Sequence, residues 1–394
     1  MFQTVESSPM KELVNKLAKH LDWSWLPGII HYTLTRAVEI QQIPAPTFHE
    51  EARAAYIADR FRELKLDGVH VDSLHNVYGL LPGMHRELPA LMVTAHSDTV
   101  FAADTDLTIE NRSETLHGPG LGDNSLGVGG ILGLVAALQQ HGFRLERDIW
   151  FVSPTREEGL GDLGGMRTAY NRLRERIGYV INVEGLAFGH VYQAGIAVRR
   201  FHITASAPGG HSWIHFGRPS ATHAIVQLGA FIAGLDVPET PRTTFNIGML
   251  EGGQGINVIA TSAGLWLDVR SEDPAQVRHL EATIRQHIET LSGDGLTFSI
   301  EVVGDRPAGA IGEDHPLVEA AMAALTAVGV EGALQSGSTD GNIPLSQGCP
   351  AVTIGITRGA HAHRTDEYIE TAYVESGMRQ LILLVLAAAG YRNP

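Results

Sequence analysis

Short apolar segments alternate with helical segments in the first half of the chain, and this alternation limits the possible folds more than any other feature. The stretches "LMVTA" (91–95), "DIWFVSPT" (148–155) and "YVINVEG" (179–185) have the length and β-branched content of buried strands. Helical segments at 125–142 and 163–176 separate them. Strands and helices that alternate in this way form a mainly parallel sheet with helices on both faces, which predicts an α/β fold.

The pattern changes after residue 195. The next segments are predicted as strand, helix, strand, strand, helix and strand, which is the order of a ferredoxin-like α+β unit. They lie at 199–205, 221–235, 243–250, 257–270, 274–291 and 296–303. After Pro307 the α/β pattern resumes with a helix at 316–328, the strand "AVTIGI" (351–356) and a helix at 371–389.

The sequence therefore predicts two domains, which a chain of 394 residues is long enough to form. A catalytic α/β domain would comprise residues 1–195 and 308–394. An inserted α+β domain at 196–307 would interrupt it.

Composition excludes several classes of partner. The net charge is −15 and the sequence has no run of Lys and Arg, which disfavours nucleic acid and membrane surfaces. The single cysteine, Cys349, allows no internal disulfide. The N-terminal stretch has no apolar core typical of a signal peptide, and we see no long uncharged apolar span. We expect a soluble cytoplasmic protein.

Histidines and carboxylates follow the predicted strands at the points where the strands end. The carboxyl ends of the strands are where open α/β sheets bind their ligands. His96 and Asp98 follow the first strand, Glu157 and Glu158 the second, Glu184 ends the third, His361 and His363 follow "AVTIGI", and Asp123 lies in the glycine-rich loop "GLGDNSLG". A mixed imidazole and carboxylate set without cysteine suits zinc, cobalt or manganese.

Each of these residues also has a structural explanation. His96 and Asp98 could be ordinary polar residues, Asp123 could cap a helix, and adjacent glutamates usually lie in a solvated turn. A carboxylate that closes a buried strand, as Glu184 does, is costly unless it is paired or bound to a metal. The structural explanations would all have to hold at one edge of the sheet, so a metal site is favoured. The glycine-rich loop does not fit the G-x-G-x-x-G fingerprint, which disfavours a nucleotide-dependent enzyme.

Eight sequence blocks, in order, resemble a known family. They are "HSDTV", "GPGLGDNSLG", "TREEGLGDLGG", "NVEG", "APGGHSW", "GGQGINVI", "GSTDGN" and "GAHAHRTDEY". The chain resembles the dinuclear-metal amidohydrolases that include aminoacylases, carboxypeptidase G-type enzymes, succinyl-diaminopimelate desuccinylase and peptidase T. "GSTDGN" looks most like peptidase T, whereas the carboxylate at Glu184 is more typical of the deacylase and carboxypeptidase branches.

The resemblance implies a role for each polar residue at the sheet edge. Asp123 would bridge two divalent metal ions, most simply zinc, with cobalt or manganese as alternatives. One ion would be completed by His96 and Glu184, the other by Glu158 and His363. Glu367, four residues after His363, selects it over His361 as the ligand. Asp98 would orient His96 through its far ring nitrogen, and Glu157 would be the general base.

The resemblance also implies roles for the inserted domain. His211 would stabilise an oxyanion, often across a homodimer interface, while Asn257 and Arg306 would bind substrate. The inserted domain would close over the substrate as a lid and provide the dimer surface. The expected activity is hydrolysis of an amide bond in a small peptide, by a di- or tripeptidase or an exopeptidase. The alternatives are an N-acyl amino acid deacylase and a non-catalytic metal-binding relative.

Overall fold

The computed structural model describes residues 8–392. The α-helices in this range are α1 (Pro9–His20), α2 (Leu26–Gln41), α3 (Glu51–Glu63), α4 (Leu126–Gln140), α5 (Gly164–Leu173), α6 (Ala221–Ala233), α7 (Pro274–Leu291), α8 (Pro316–Ala327), α9 (Asn342–Ser346) and α10 (Val374–Ala389). A short irregular helical turn, Leu121–Ser125, precedes α4 and is called the Asp123 turn below.

The strands in the same range form four sheets. They are β1 (Asp67–Val71), β2 (Val77–Leu81), β3 (Ala90–Thr94), β4 (Glu110–Arg112), β5 (Thr115–His117), β6 (Ile149–Ser153), β7 (Ile177–Glu184), β8 (His190–Gly195), β9 (Ala197–Ser206), β10 (Gly210–His211), β11 (Thr243–Gly252), β12 (Val258–Ile259), β13 (Ser262–Ser271), β14 (Thr297–Arg306), β15 (Gly309–Ala310), β16 (Ala333–Gly337), β17 (Ala351–Gly355), β18 (Gly359–Ala360) and β19 (Tyr368–Glu370). Residues up to 195 and from 309 onward form one compact unit, and residues 196–308 form another.

The first unit is built on a nine-stranded sheet with a parallel centre. The strand order is β1-β2-β6-β3-β7-β17-β8-β15, with β16 paired to β8. Strands β6, β3, β7 and β17 run parallel, so their carboxyl ends share one edge. This arrangement confirms the prediction of a mainly parallel sheet flanked by helices.

Side chains alternate along the central strands and bury both faces of the sheet. Val93 and Ile181 belong to the apolar core that contains α4 and α10, whereas Met92 and Val180 belong to the core that contains α5 and α9. All five residues of β3 are buried. A strand covered on both faces needs apolar residues at every position, which explains the unbroken apolar runs in the sequence.

Two helical segments of the first unit are long and apolar enough to cross a membrane by length and composition. They are Leu121–Gln140 and Thr371–Ala389, whose most apolar stretches are 94% and 72% buried within the fold. Both segments contain charged residues, namely Asp123 in the first and Glu375 and Arg379 in the second. Both segments are core helices of the α/β unit, and their apolar residues belong to the same core cluster on one face of the sheet.

The second unit is a four-stranded antiparallel sheet. Its strand order is β11-β13-β9-β14, and the apolar residues of α6 and α7 form one core with the residues on one face of the sheet. The chain order of these elements is β-α-β-β-α-β. The segment 257–270, predicted as one strand, is divided into β12 and β13, and β12 pairs with β10 in a separate two-stranded sheet.

Candidate metal centre

Seven of the predicted polar residues meet at the carboxyl edge of the parallel strands. His96 and Asp98 follow β3, Glu157 and Glu158 follow β6, and Glu184 is the last residue of β7. His363 lies in the loop between β18 and β19, close to Asp123 and Glu158.

Asp123 lies between two separate sets of ligand atoms. Its Oδ1 is 3.2 Å from Nε2 of His96, which is also 3.5 Å from Oε2 of Glu184. Its Oδ2 is 3.1 Å from Nε2 of His363, which is 3.0 Å from Oε1 of Glu158. Each oxygen of one carboxylate therefore faces its own histidine and its own glutamate.

These separations fit two metal ions rather than a network of ion pairs alone. Tetrahedral zinc with ligand distances of roughly 2.0–2.2 Å places neighbouring ligand atoms about 3.3 Å apart. The ligand atoms of His96, Asp123 and Glu184 lie within 4.8 Å of one another, and so do those of Asp123, Glu158 and His363. The donors are imidazole and carboxylate groups, which suit a divalent cation of the first transition row.

Asp98 contacts the far ring nitrogen of His96 and also holds the neighbouring loop. Nδ1 of His96 is 3.2 Å from the backbone carbonyl oxygen of Asp98 and 3.6 Å from its carboxylate, so the carbonyl is the nearer partner. The carboxylate instead accepts hydrogen bonds from the backbone N–H groups of Glu157 (2.9 Å) and Glu158 (3.0 Å), and from the hydroxyl of Thr47 (2.8 Å). Asp98 thus fixes the loop that carries both glutamates.

Three further residues hold the ligands of the centre in place. The sequence did not predict this role for them. Nδ2 of Asn182 donates to Oε1 of Glu184 at 2.9 Å. The side chain of Asn124 donates to the carbonyl of Val183 and accepts from the N–H of Gly185. The carboxylate of Glu367 accepts three backbone N–H groups from the Asp123 turn. Asn182 could have been found from the sequence, because residues two apart on a strand point to the same face.

The structural alternatives considered for these residues are not observed. Asp123 has non-helical backbone angles (φ −113°, ψ 91°), and no side chain caps α4. Glu157 and Glu158 are 7% and 6% exposed, so they do not lie in a solvated turn. His361 pairs with Asp366 at 3.0 Å, and His363 is the one next to Asp123.

The electrostatics of the centre reflect carboxylates crowded into a buried space. Burial raises the pKa of Glu158 to about 7. Burial alone would also raise the pKa of Asp123, but hydrogen bonds with His363 and His96 outweigh burial and lower it. Hydrogen bonds to Asp123 and Glu158 raise the pKa of His363 to about 10. In the absence of cations the imidazoles supply the positive charge that these carboxylates need.

A further buried carboxyl lies near the centre. Asp340, in "GSTDGN", is fully buried, and neither of its carboxylate oxygens has a hydrogen-bond partner within residues 8–392. Burial, together with the nearby charge of Glu157, raises the pKa of Asp340 well above its ordinary value. Burial and the neighbouring negative charge both disfavour the ionised form of this carboxyl.

The remaining predicted residues belong to the second unit. His211 is in β10 and Asn257 immediately precedes β12, the two strands that pair with each other. The N–H of Ser212 donates to the carbonyl of Asn257 at 3.0 Å, so the two predicted residues are brought close together within this unit. Arg306 is 5% exposed at the end of β14.

The family follows from a comparison with protein-family models. Residues 92–387 match the model of peptidase family M20/M25/M40, which is most of the chain. The chain belongs to this family. The resemblance to dinuclear-metal amidohydrolases is confirmed, and this M20 protein is a hydrolase of the peptidase and amidase class.

Individual relatives of this M20 chain include both peptidases and a deacylase. A tripeptidase structure from Staphylococcus aureus matches with a TM-score of 0.74 and 19% identity, covering 91% of this chain and 98% of that one. A dinuclear metal binding M20 peptidase of Bacillus subtilis matches with a TM-score of 0.67 and 15% identity, covering 92% of this chain and 99% of that one. Succinyl-diaminopimelate desuccinylase of a Methylobacterium species is 25% identical over 315 residues, which cover 72% of this chain and 76% of the relative.

Proposed function

We propose that this M20 protein hydrolyses an amide bond in a small peptide, using two divalent cations shared by Asp123. The observation that carries the proposal is the division of the Asp123 carboxylate between two ligand sets. Its Oδ1 faces His96 at 3.2 Å and its Oδ2 faces His363 at 3.1 Å. Zinc is the preferred occupant, and cobalt or manganese would suit the same donors.

The two cations, when bound, supply Lewis acidity and lower the pKa of water at the centre. Glu157 is the proposed general base. Its carboxylate lies within 4.8 Å of ligand atoms of His96 and Glu158, and its backbone is held by Asp98. Glu157 takes a proton from the attacking water and returns it to the leaving amine, which is the ordinary role of a carboxylate in amide hydrolysis.

The second unit supplies the rest of the proposed machinery. His211 stabilises the oxyanion, and Asn257 and Arg306 bind the substrate. His211 is exposed and lies beside Asn257, so both side chains are accessible to a substrate. This accessibility supports the proposed contact of His211 with the oxyanion. A guanidinium such as that of Arg306 is suited to grip a substrate carboxylate.

We further propose that the protein is a cytoplasmic homodimer joined through residues 196–308. Strand β11 is an outer strand of its sheet, and within the described chain only β13 pairs with it. Met249 and Leu250 on β11 are 56% and 67% exposed, and Val226 on α6 is 66% exposed. An apolar strand edge of this kind is suited to pairing with a second copy.

An N-acyl amino acid deacylase is the second candidate. The relationship to a succinyl-diaminopimelate desuccinylase supports it, as does the glutamate rather than aspartate at position 184. Both activities cleave an amide bond and release a product that carries a carboxylate, so one metal centre could serve either activity. A parallel screen of di- and tripeptides and of N-acyl amino acids, with zinc, cobalt and manganese, separates the two.

Replacement of the base tests the mechanism. Glu157→Gln keeps the shape of the side chain but cannot accept a proton, so we expect kcat on the best substrate of that screen to fall by roughly 10²–10⁴-fold. Metal content, measured by atomic emission, should stay at that of the wild type. The matched control is Glu51→Gln, which changes an exposed glutamate at the start of α3. Full activity in Glu157→Gln would show that the base is another residue.

A further inference from the structure

Glu367 is a buried carboxylate that coordinates nothing in the proposed centre. It is fully buried, and its hydrogen bonds go to backbone N–H groups of the Asp123 turn and its approach. Gly120 donates to Oε2 at 3.0 Å, while Gly122 and Asp123 donate to Oε1 at 2.6 and 2.9 Å. We propose that Glu367 is a positioning residue that holds Asp123 between the two cations, a proposal that rests on the function proposed above.

The Asp123 turn needs such an acceptor because its backbone is irregular. Asp123 and Asn124 have non-helical backbone angles, so the N–H groups at this turn are not taken up by an ordinary helical ladder. A buried N–H group without an acceptor is destabilising. Successive N–H groups that converge on one point form an anion-binding concavity, and the carboxylate of Glu367 occupies it.

The turn fits closely around this carboxylate. A Cβ atom at Gly122 would lie 2.9 Å from Oε1 of Glu367 and 2.8 Å from the side chain of Leu186. Gly122 therefore permits the approach that brings its N–H within 2.6 Å of the carboxylate. The glycine at position 122 of "GLGDNSLG" is thus explained by the close approach of a protein carboxylate.

Two side chains connect the Asp123 turn to different ligand loops. Asn124 bonds to the backbone on both sides of Glu184, through Val183 and Gly185. Glu367 lies in the same loop as His363, and its backbone carbonyl also accepts the N–H of Gly118 at 2.9 Å. Asn124 therefore fixes the turn relative to the cation site of His96 and Glu184. Glu367 fixes it relative to the site of Glu158 and His363.

Loss of the Glu367 carboxylate should therefore affect the two cation sites unequally. In Glu367→Gln the amide nitrogen is a donor, so at least one of the three N–H groups loses its acceptor. The contacts of Asn124 are unchanged, which preserves the side of Asp123 that faces His96. We expect the ion between Glu158 and His363 to bind more weakly by about 10–100-fold, the usual effect of removing a residue that supports a metal ligand.

The test is a titration of the metal-free full chain with Co²⁺, followed by calorimetry and by visible absorption. Asp366→Asn is the matched control, because it neutralises the neighbouring carboxylate of the same loop. Asp366 contacts Arg364 and His361 and is half exposed. We expect two ions in the wild type and in Asp366→Asn. In Glu367→Gln we expect one ion of unchanged affinity and one of weakened affinity.

Several outcomes would overturn the inference. If Glu367→Gln melts at a lower temperature yet binds both ions as the wild type does, Glu367 has a structural role only. If Asp366→Asn weakened the binding of the same ion as much as Glu367→Gln does, the effect would come from the negative charge of the loop and not from the contacts of Glu367. A wild-type chain that binds fewer than two ions would overturn the proposed function itself, and with it this inference.

A measurement on the wild type covers the case in which Glu367→Gln does not fold. Hydrogen exchange of the metal-free chain should show slow exchange at the amides of Gly120, Gly122 and Asp123, because each is buried against Glu367. Exchange of these amides at the rate of an open loop would contradict the proposal.

Discussion

At the scale of single residues, the centre balances several buried carboxylates against two imidazoles. Burial alone would lower the pKa of His96, but the Glu184 and Asp123 carboxylates outweigh it and raise that pKa well above its ordinary value. The pKa of His363 is raised to about 10 by Asp123 and Glu158. His363 is therefore protonated at pH 7 in the metal-free protein, and the Glu184 and Asp123 carboxylates favour the protonated form of His96. Both imidazoles must lose their proton to bind a cation.

Metal binding should therefore release protons. Loading the chain with two Zn²⁺ ions at pH 7 should displace protons from the two imidazoles and from Glu158, whose pKa of about 7 leaves it partly protonated. The apparent affinity should rise with pH up to about 10, where His363 loses its proton in the metal-free protein. Calorimetry in buffers of different ionisation enthalpy measures the release. An enthalpy independent of the buffer would mean that these imidazoles are already neutral or are not ligands.

The residues at this scale divide into those a sequence can indicate and those it cannot. His96, Glu158 and Glu184 could be proposed because strand ends and residue types are visible in the sequence. The contacts of Asn124 and Glu367 with the Asp123 turn could not be. They depend on which backbone N–H groups a distant loop meets, and the hydrogen bond from Gly122 to Glu367 joins residues 245 positions apart.

At the scale of elements, the central strands of the sheet were predicted because they form continuous apolar runs in the sequence. The central strands β3, β6 and β7 are mostly apolar because both faces of the sheet are covered, and they were predicted within a few residues. The edge strand β1 and the short strand β4 were not predicted. β1 is partly exposed, and the three residues of β4 are all exposed, so neither has the apolar run of a central strand.

The packing of α10 against the end of β17 gives a prediction at this scale. A Cβ atom on Gly377 would lie 1.8 Å from the carbonyl oxygen of Ile356, so Gly377→Ala forces the helix away from the sheet. We expect the free energy of unfolding to fall by about 1–3 kcal/mol, the usual cost of overpacking. Urea denaturation followed by circular dichroism measures this change.

The control for that prediction is Gly28→Ala in α2. No heavy atom lies within 4 Å of the position that its Cβ would occupy. Alanine there should leave stability unchanged or raise it by up to about 1 kcal/mol through helix propensity. Equal effects at the two glycines would show that α10 does not pack against Ile356 as described.

At the scale of the whole molecule, the chain divides into two compact units. The α/β alternation stops near residue 195 and resumes after Pro307, and the second compact unit spans residues 196–308. The order of helices and strands does not reveal the activity, because a tripeptidase and an amidase share this fold. Substrate choice depends on side chains in the site, which the order of helices and strands does not fix.

Anomalous X-ray diffraction from crystals of the zinc-loaded protein would test the sharing of Asp123 most directly. We expect two peaks at the zinc edge about 3.5 Å apart, as co-catalytic pairs require. One peak should lie among His96, Glu184 and Oδ1 of Asp123, and the other among Glu158, His363 and Oδ2 of Asp123. A single peak, or two peaks that do not share the Asp123 carboxylate, would contradict the two-cation centre.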